Sequence, residues 1–149
     1  MNESNLRTTA PQRQLWLRVA GVVGMLFGLM TLREGGAVLF VDGAAREAAG
    51  NYVPFVLWFN FLAGFVYVIA GLGLWFLQTW SARVALGIGV ATLVVFAAFG
   101  LHAIVGGAFE TRTVVAMTLR STIWLLIAAI AWRSLVRKTP GPPMEPGLK

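Results

Sequence analysis

From Val53 to Leu77, and again from Val84 to Gly106, the sequence contains no Asp, Glu, Lys or Arg. At about 1.5 Å of rise per residue, each run is long enough as an α-helix to cross a hydrocarbon core of roughly 30 Å. In hydrocarbon a backbone must satisfy its own hydrogen bonds, and a single helix does so. Two more stretches, Leu15–Leu32 and Thr113–Trp132, are nearly as apolar, with one arginine each, Arg18 and Arg120. Spans at 15–32, 53–77, 84–106 and 113–132 predict an all-α, integral membrane four-helix bundle of up-down-up-down order.

Composition agrees with lipid as the solvent. Hydrophobic residues make up 58% of the chain and charged residues 12%, about half the charged share of a soluble domain. The net charge of +6 does not point to nucleic acid, because the basic residues flank apolar runs or lie in the tails and form no block. There is no cysteine, which removes disulfides, thiolate metal sites and thiol redox chemistry together.

The connections differ. Gln78–Arg83 and Gly107–Arg112 read as tight turns, so the helices they join are antiparallel neighbours. The first connection, Arg33–Tyr52, is long. In it Gly35-Gly36 is expected to break the first helix, Asp42-Gly43 to turn, and Ala44–Ala49 to form a short helical turn. Pro54 suits the first turn of the second span, where no backbone donor is needed. Residues 1–14 read as a polar cytoplasmic segment, disordered at its start, and residues 136–149, rich in proline from Thr139, as an unstructured cytoplasmic tail. A signal peptide is the competing reading of the first span, with Arg7, Arg13 and Arg18 as its basic region and Val19–Leu32 as its core. The small residues at Gly43–Ala45 lie beyond Arg33, Glu34 and Asp42, too far for its cleavage site, so a retained helix is preferred.

Orientation follows from counting basic residues at span ends. With the N-terminus inside, Arg7, Arg13, Arg18, Arg83, Arg133, Arg137, Lys138 and Lys149 are cytoplasmic, against Arg33, Arg46 and Arg112 outside. Both termini are thus expected in the cytoplasm. Trp16, Trp75, Trp80 and Trp132 at inner ends, with Tyr52 and Trp58 near the outer one, supply the interfacial aromatic belts.

Small residues mark helix contacts. Gly24 and Gly28 form a GxxxG pair in the first span, with Gly21 nearby, and Asn60, Gly64, Tyr67 and Gly71 share one face of the second. Gly24, Gly28, Gly64 and Gly71 are the predicted packing residues. Polar side chains collect in the outer half: Glu34 and Thr31 end the first span, Asn60 and Arg120 lie roughly 10 Å below the outer boundary, His102 about 6 Å below it, and Glu110 in the outer turn. Arg120 at that depth costs about 2.5–3.5 kcal/mol, so it must face the bundle and find a partner, with Glu34 and Glu110 as the candidate carboxylates. Two readings of Glu34, Asn60, His102, Glu110 and Arg120 stay open. One is an interhelical clamp. The other is an outward-facing binding pocket for an anionic or quinone-like headgroup, with Arg120 as anion contact and His102 as proton donor. The lone histidine lacks ligand spacing for a metal site, and no phosphate loop, nucleophile elbow or other catalytic motif supports an enzyme.

The stretches Gly35-Gly36-Ala37-Val38-Leu39-Phe40, Gly50-Asn51-Tyr52-Val53-Pro54-Phe55-Val56-Leu57-Trp58 and Met117-Thr118-Leu119-Arg120 resemble those of small bacterial four-span proteins. The layout over residues 15–135 is similar to the DoxX-like group. That resemblance implies an accessory membrane subunit associated with respiratory or redox enzymes, and carries over no catalytic residue. The expectation is therefore a non-enzymatic accessory or scaffolding subunit of the bacterial inner membrane, self-associating through its glycine faces or bound to a larger membrane enzyme. The alternatives are a small binding or transport protein built on the Arg120–His102 pocket, and a redox subunit handling a quinone. No cofactor is required by the first, a lipid or quinone by the others.

Overall fold

The computed structural model describes residues 3–41 and 43–136, with side chains from residue 11 onward. The side chain of Arg7, Asp42, and the stretch from Arg137 to Lys149, with the expected tail, lie outside the described residues. The chain folds as α1 (Glu3–Phe40), a short α2 (Ala44–Ala49), α3 (Pro54–Trp75), α4 (Thr79–Ile104) and α5 (Thr111–Ala131), the last continued by a π-helical turn, Trp132–Val136. Four of these are long and apolar enough to cross a membrane: Pro11–Phe40, Pro54–Trp75, Thr79–Ile104 and Thr111–Val136.

Every long helix is antiparallel to its neighbours. Gly21 of α1 faces Gly71 of α3, and Gly28 faces Gly64. Gly73 of α3 meets Ser81 of α4, while Phe55 at the other end of α3 meets His102. Gly89 of α4 lies on Leu125 of α5, and Phe99 on Phe109 just before α5. The order around the bundle is α1, α3, α4, α5, and α5 returns to α1 through the slightest of the four contacts. This is an all-α, up-down-up-down four-helix bundle. One end carries α2 and the turn before α5; the other carries the N-terminal part of α1 and the π-helical turn.

The α1–α3 contact is backbone on backbone. A Cβ on Gly71 would sit 2.6 Å from the Gly21 carbonyl oxygen, and one on Gly28 would sit 2.8 Å from that of Gly64. Only glycine permits such an approach. Gly24, Gly28, Gly64 and Gly71 all lie in this seam between α1 and α3 of one chain. Around this seam the core is small and tight: Leu17, Ala20, Ala70, Leu74, Ala82, Ala85, Ala128 and Ala131 pack with Tyr67, Trp124, Ile88 and Ile127. A second cluster, Val53, Val56, Phe99 and Met117, fills the α2 end.

The outer faces are apolar as well. Leu26 is 57% exposed, Ile69 53%, Val94 64% and Leu126 59%, one from each long helix. The bundle is apolar all round, as helices that cross a membrane are. The chain has the build of a multi-pass membrane protein.

Four boundaries differ from those predicted. The first helix is not broken at Gly35-Gly36 but runs to Phe40. A Cβ on Gly35 would sit 3.4 Å from that of Phe61 on α3, an ordinary contact, so packing does not require glycine there; a continuous helix keeps its carbonyls bonded. Its start is earlier too: the segment expected to be disordered is helical from Glu3, with Pro11 inside the helix. The turn expected at Gln78–Arg83 shrinks to 76–78, because α4 begins at Thr79, and the one expected at Gly107–Arg112 shifts to 105–110. Both preceding helices end in the same motif. Gln78 N–H donates to Gly73 O (2.8 Å) and Leu77 N–H to Leu74 O (3.0 Å); Gly107 N–H donates to His102 O (2.9 Å) and Gly106 N–H to Ala103 O (3.2 Å). This 6→1 and 5→2 pairing requires a left-handed residue, here Leu77 at φ 58° and Gly106 at φ 87°.

Candidate functional site

Arg120 sits two and a half turns into α5 and is 7% exposed. Its Nη2 donates to Thr31 Oγ1 of α1 at 3.5 Å, and its Nη1 lies 3.9 Å from Met117 Sδ, one turn back. The guanidinium carbon stands 5.6 Å from the Phe27 ring and 6.0 Å from the Tyr67 ring. Phe27 and Tyr67 stack at 6.1 Å, and Tyr67 leans on Trp124 at 4.7 Å. The cation is thus enclosed by rings from α1 and α3 and by residues of its own helix one turn either side.

Cation–π contact is worth about 2 kcal/mol when desolvated, comparable to the cost of placing arginine at depth. The rings therefore stand where a carboxylate was expected. Neither Glu34 nor Glu110 forms an ion pair with Arg120. Glu34 is exposed at the α2 end, and acts on Arg120 only through its longer-range charge. Glu110 precedes α5 and accepts from the Asn51 backbone N–H at 2.9 Å. His102 lies in the last turn of α4, its Nε2 3.3 Å from Ala108 O and its ring edge-on to Phe55 at 6.3 Å. Asn60 is partly buried on α3, and its Oδ1 has no hydrogen-bond partner.

The five polar residues singled out from the sequence consequently separate. Arg120 belongs to a buried cage, whereas His102 bonds within the turn between α4 and α5 and Glu110 ties that turn to Asn51, ahead of α3. Other arginines at that end cap helices: Arg46 donates from Nε to Val38 O (3.3 Å) and from Nη2 to Leu39 O (3.2 Å), and Arg112 donates to Ala48 O. Cations at helix C-termini offset the partial negative charge of the last carbonyls. Together they hold α2 against the ends of α1 and α5.

The cage residues Phe27, Met117 and Trp124 escaped the sequence reading. Met117 and Trp124 stand three before and four after Arg120 and are legible from helical spacing; Phe27 is not, because its proximity depends on how α1 and α5 are registered. The cage is also under-satisfied. Arg120 Nε, Tyr67 Oη and Trp124 Nε1 are buried with no hydrogen-bond partner. The Tyr67 hydroxyl lies beside Thr92, whose own hydroxyl donates to Ile88 O at 2.8 Å.

Two crevices open on the apolar flanks. One, of about 210 Å³, lies between α1 and α5 and is lined by Trp16, Val19, Val23, Ile123, Ile127 and Ile130 among others. The second, of about 440 Å³, lies between α4 and α5 near Leu86, Leu125, Trp132 and Arg133. Among the described residues, no group of three or more His, Cys, Asp or Glu side chains could hold a metal ion. Comparison with family models, curated proteins and solved structures finds no match to the chain.

Proposed function

We propose that this chain is a non-enzymatic accessory or scaffolding subunit of the bacterial inner membrane, with both termini in the cytoplasm, that docks on a larger membrane enzyme. The observation that carries the reading is the outward face of α4. Gly87, Ala91, Val94, Ala98 and Leu101 follow steps of four and three along that helix and are all exposed. A Cβ on Gly87 would meet nothing within 4 Å, in contrast to the glycines buried between α1 and α3. Small side chains at four-residue spacing let a second helix approach closely in lipid, where van der Waals contact drives association. The DoxX-like layout points the same way.

The test is purification from native membranes in mild detergent. The wild-type chain is expected in a complex larger than its monomer, together with a distinct membrane protein. Gly87→Leu should reduce that co-purification about tenfold, the loss of one well-packed contact of about 1.4 kcal/mol, with unchanged thermal stability. A wild-type chain that migrates alone, or only with copies of itself, sinks the proposal.

A further inference from the structure

We infer that the α1–α5 seam is a binding site for a long-chain carboxylate, with Arg120 taking the head and the apolar crevice taking the tail. Two independent observations meet here. The first is a buried cation with no counter-charge: Arg120 has no carboxylate within ion-pair distance, and its Nε, like Trp124 Nε1 and Tyr67 Oη beside it, lacks a partner. All three groups can donate; Tyr67 has the Thr92 hydroxyl beside it, whereas Arg120 Nε and Trp124 Nε1 have no acceptor. A carboxylate supplies two oxygens with several lone pairs and one negative charge, which is the complement of this set.

The second observation is the crevice itself. Ile123, Ile127 and Ile130 line it on the same face of α5 as Arg120, following it at steps of three, four and three. On α1, Val23 lines it, and Phe27 and Thr31, one and two turns on, reach Arg120. The crevice and the cage are thus successive levels of one seam. Arg120 to Ile130 spans about 15 Å of helix, a length suited to a fatty acyl tail. A volume of about 210 Å³ takes part of one chain, the remainder lying in the surrounding lipid, and leaves no room for a second. Arg120 also lies about 14 Å along α5 from Thr111, deeper than the head of a two-chain lipid sits.

The α1–α5 contact is the slightest of the four between neighbouring long helices, so the seam is where a tail enters sideways from lipid. It is bridged by Arg120 to Thr31 and, at the other end, by Arg13 to the Ser134 carbonyl. These links bracket the apolar stretch.

The experiment uses the full chain in detergent and palmitic acid carrying a mid-chain diazirine. On irradiation, adducts are expected on Val19, Val23, Ile123 or Ile127 and should be competed by unlabelled palmitate. The matching diazirine alcohol, and phosphatidylglycerol bearing the same acyl chain, should label these positions at least about tenfold less, as loss of a charge-assisted hydrogen bond implies. Arg120→Met should lower labelling by a similar factor and Arg120→Lys by less. Ile127→Trp, which fills the crevice and leaves the cage intact, should also abolish it, with folding of each variant checked by thermal melting. Equal labelling by the alcohol, preference for the phospholipid, no adducts, or adducts spread over Val94 and Leu101 of α4 would each overturn the inference.

Discussion

Arg120 is held by rings, a thioether and one hydroxyl, and this decides how substitutions there act. Removing its charge orphans nothing new, since Thr31 can bond its own helix and the Tyr67 and Trp124 donors are already unpartnered. Replacing a buried ionic group by an apolar side chain of similar volume is commonly neutral or stabilising by about 1–4 kcal/mol. In chain stripped of bound amphiphile, Arg120→Met is therefore expected to melt at or above wild type, followed by circular dichroism. Arg120→Ala empties the cage and should cost about 2–4 kcal/mol. A strong loss with methionine would mean that the charge, rather than the volume, holds the helices. The glycines divide in the same way. Gly71→Ala would set a Cβ 2.6 Å from the Gly21 carbonyl oxygen and 2.8 Å from Met25 N. Neither backbone can yield, so α1 and α3 must part, at about 1–3 kcal/mol. Gly87→Ala meets open space and should gain up to about 1 kcal/mol from helix propensity.

At the level of elements, the turns between helices carry their own energetics. Gly106 closes α4 at φ 87°, a conformation that costs a side-chain-bearing residue about 1–2 kcal/mol, so Gly106→Ala should destabilise the chain by that amount in the same melting assay. Leu77 tolerates φ 58° because its side chain packs on the core. The long helices were legible because uncharged runs of this length have few other fates. Their ends were not. Gly35-Gly36 is a breaker by local propensity, yet apolar surroundings penalise an open backbone more than glycine weakens a helix. Local propensity cannot weigh what surrounds the whole bundle. The site was half legible for the same reason. The position of Arg120 inside an apolar span, and the need for a partner, followed from depth alone. That the partners would be Phe27 and Tyr67 rather than Glu34 or Glu110 depended on interhelical register, which no spacing within one helix encodes.

The described part of the molecule is an apolar bundle with a polar collar at each end, and the orientation such a bundle takes in a bilayer depends on the difference between those collars. At the α2 end stand Arg33, Arg46 and Arg112; at the other stand Arg13, Arg18, Arg83 and Arg133. Among described residues the two ends are close to balanced. The inside preference therefore rests on Arg7, Arg137, Lys138 and Lys149, which lie in the terminal segments of the sequence. Basic residues within about 15–20 positions of a span resist translocation, and all four lie within that range. The chain contains no cysteine, so single cysteines report sidedness without background. Asn51 and Thr79 are both exposed and lie at opposite ends of the bundle. In intact spheroplasts, a membrane-impermeant maleimide is expected to label Asn51→Cys and to spare Thr79→Cys until the membrane is permeabilised. Neutralising Arg137 and Lys138 together should then produce a fraction with the opposite pattern, because the remaining bias is small. Labelling of Thr79→Cys alone in intact spheroplasts would place the α2 end in the cytoplasm and move the Arg120 seam to the inner leaflet. Labelling of both would mean that α3 does not cross the bilayer.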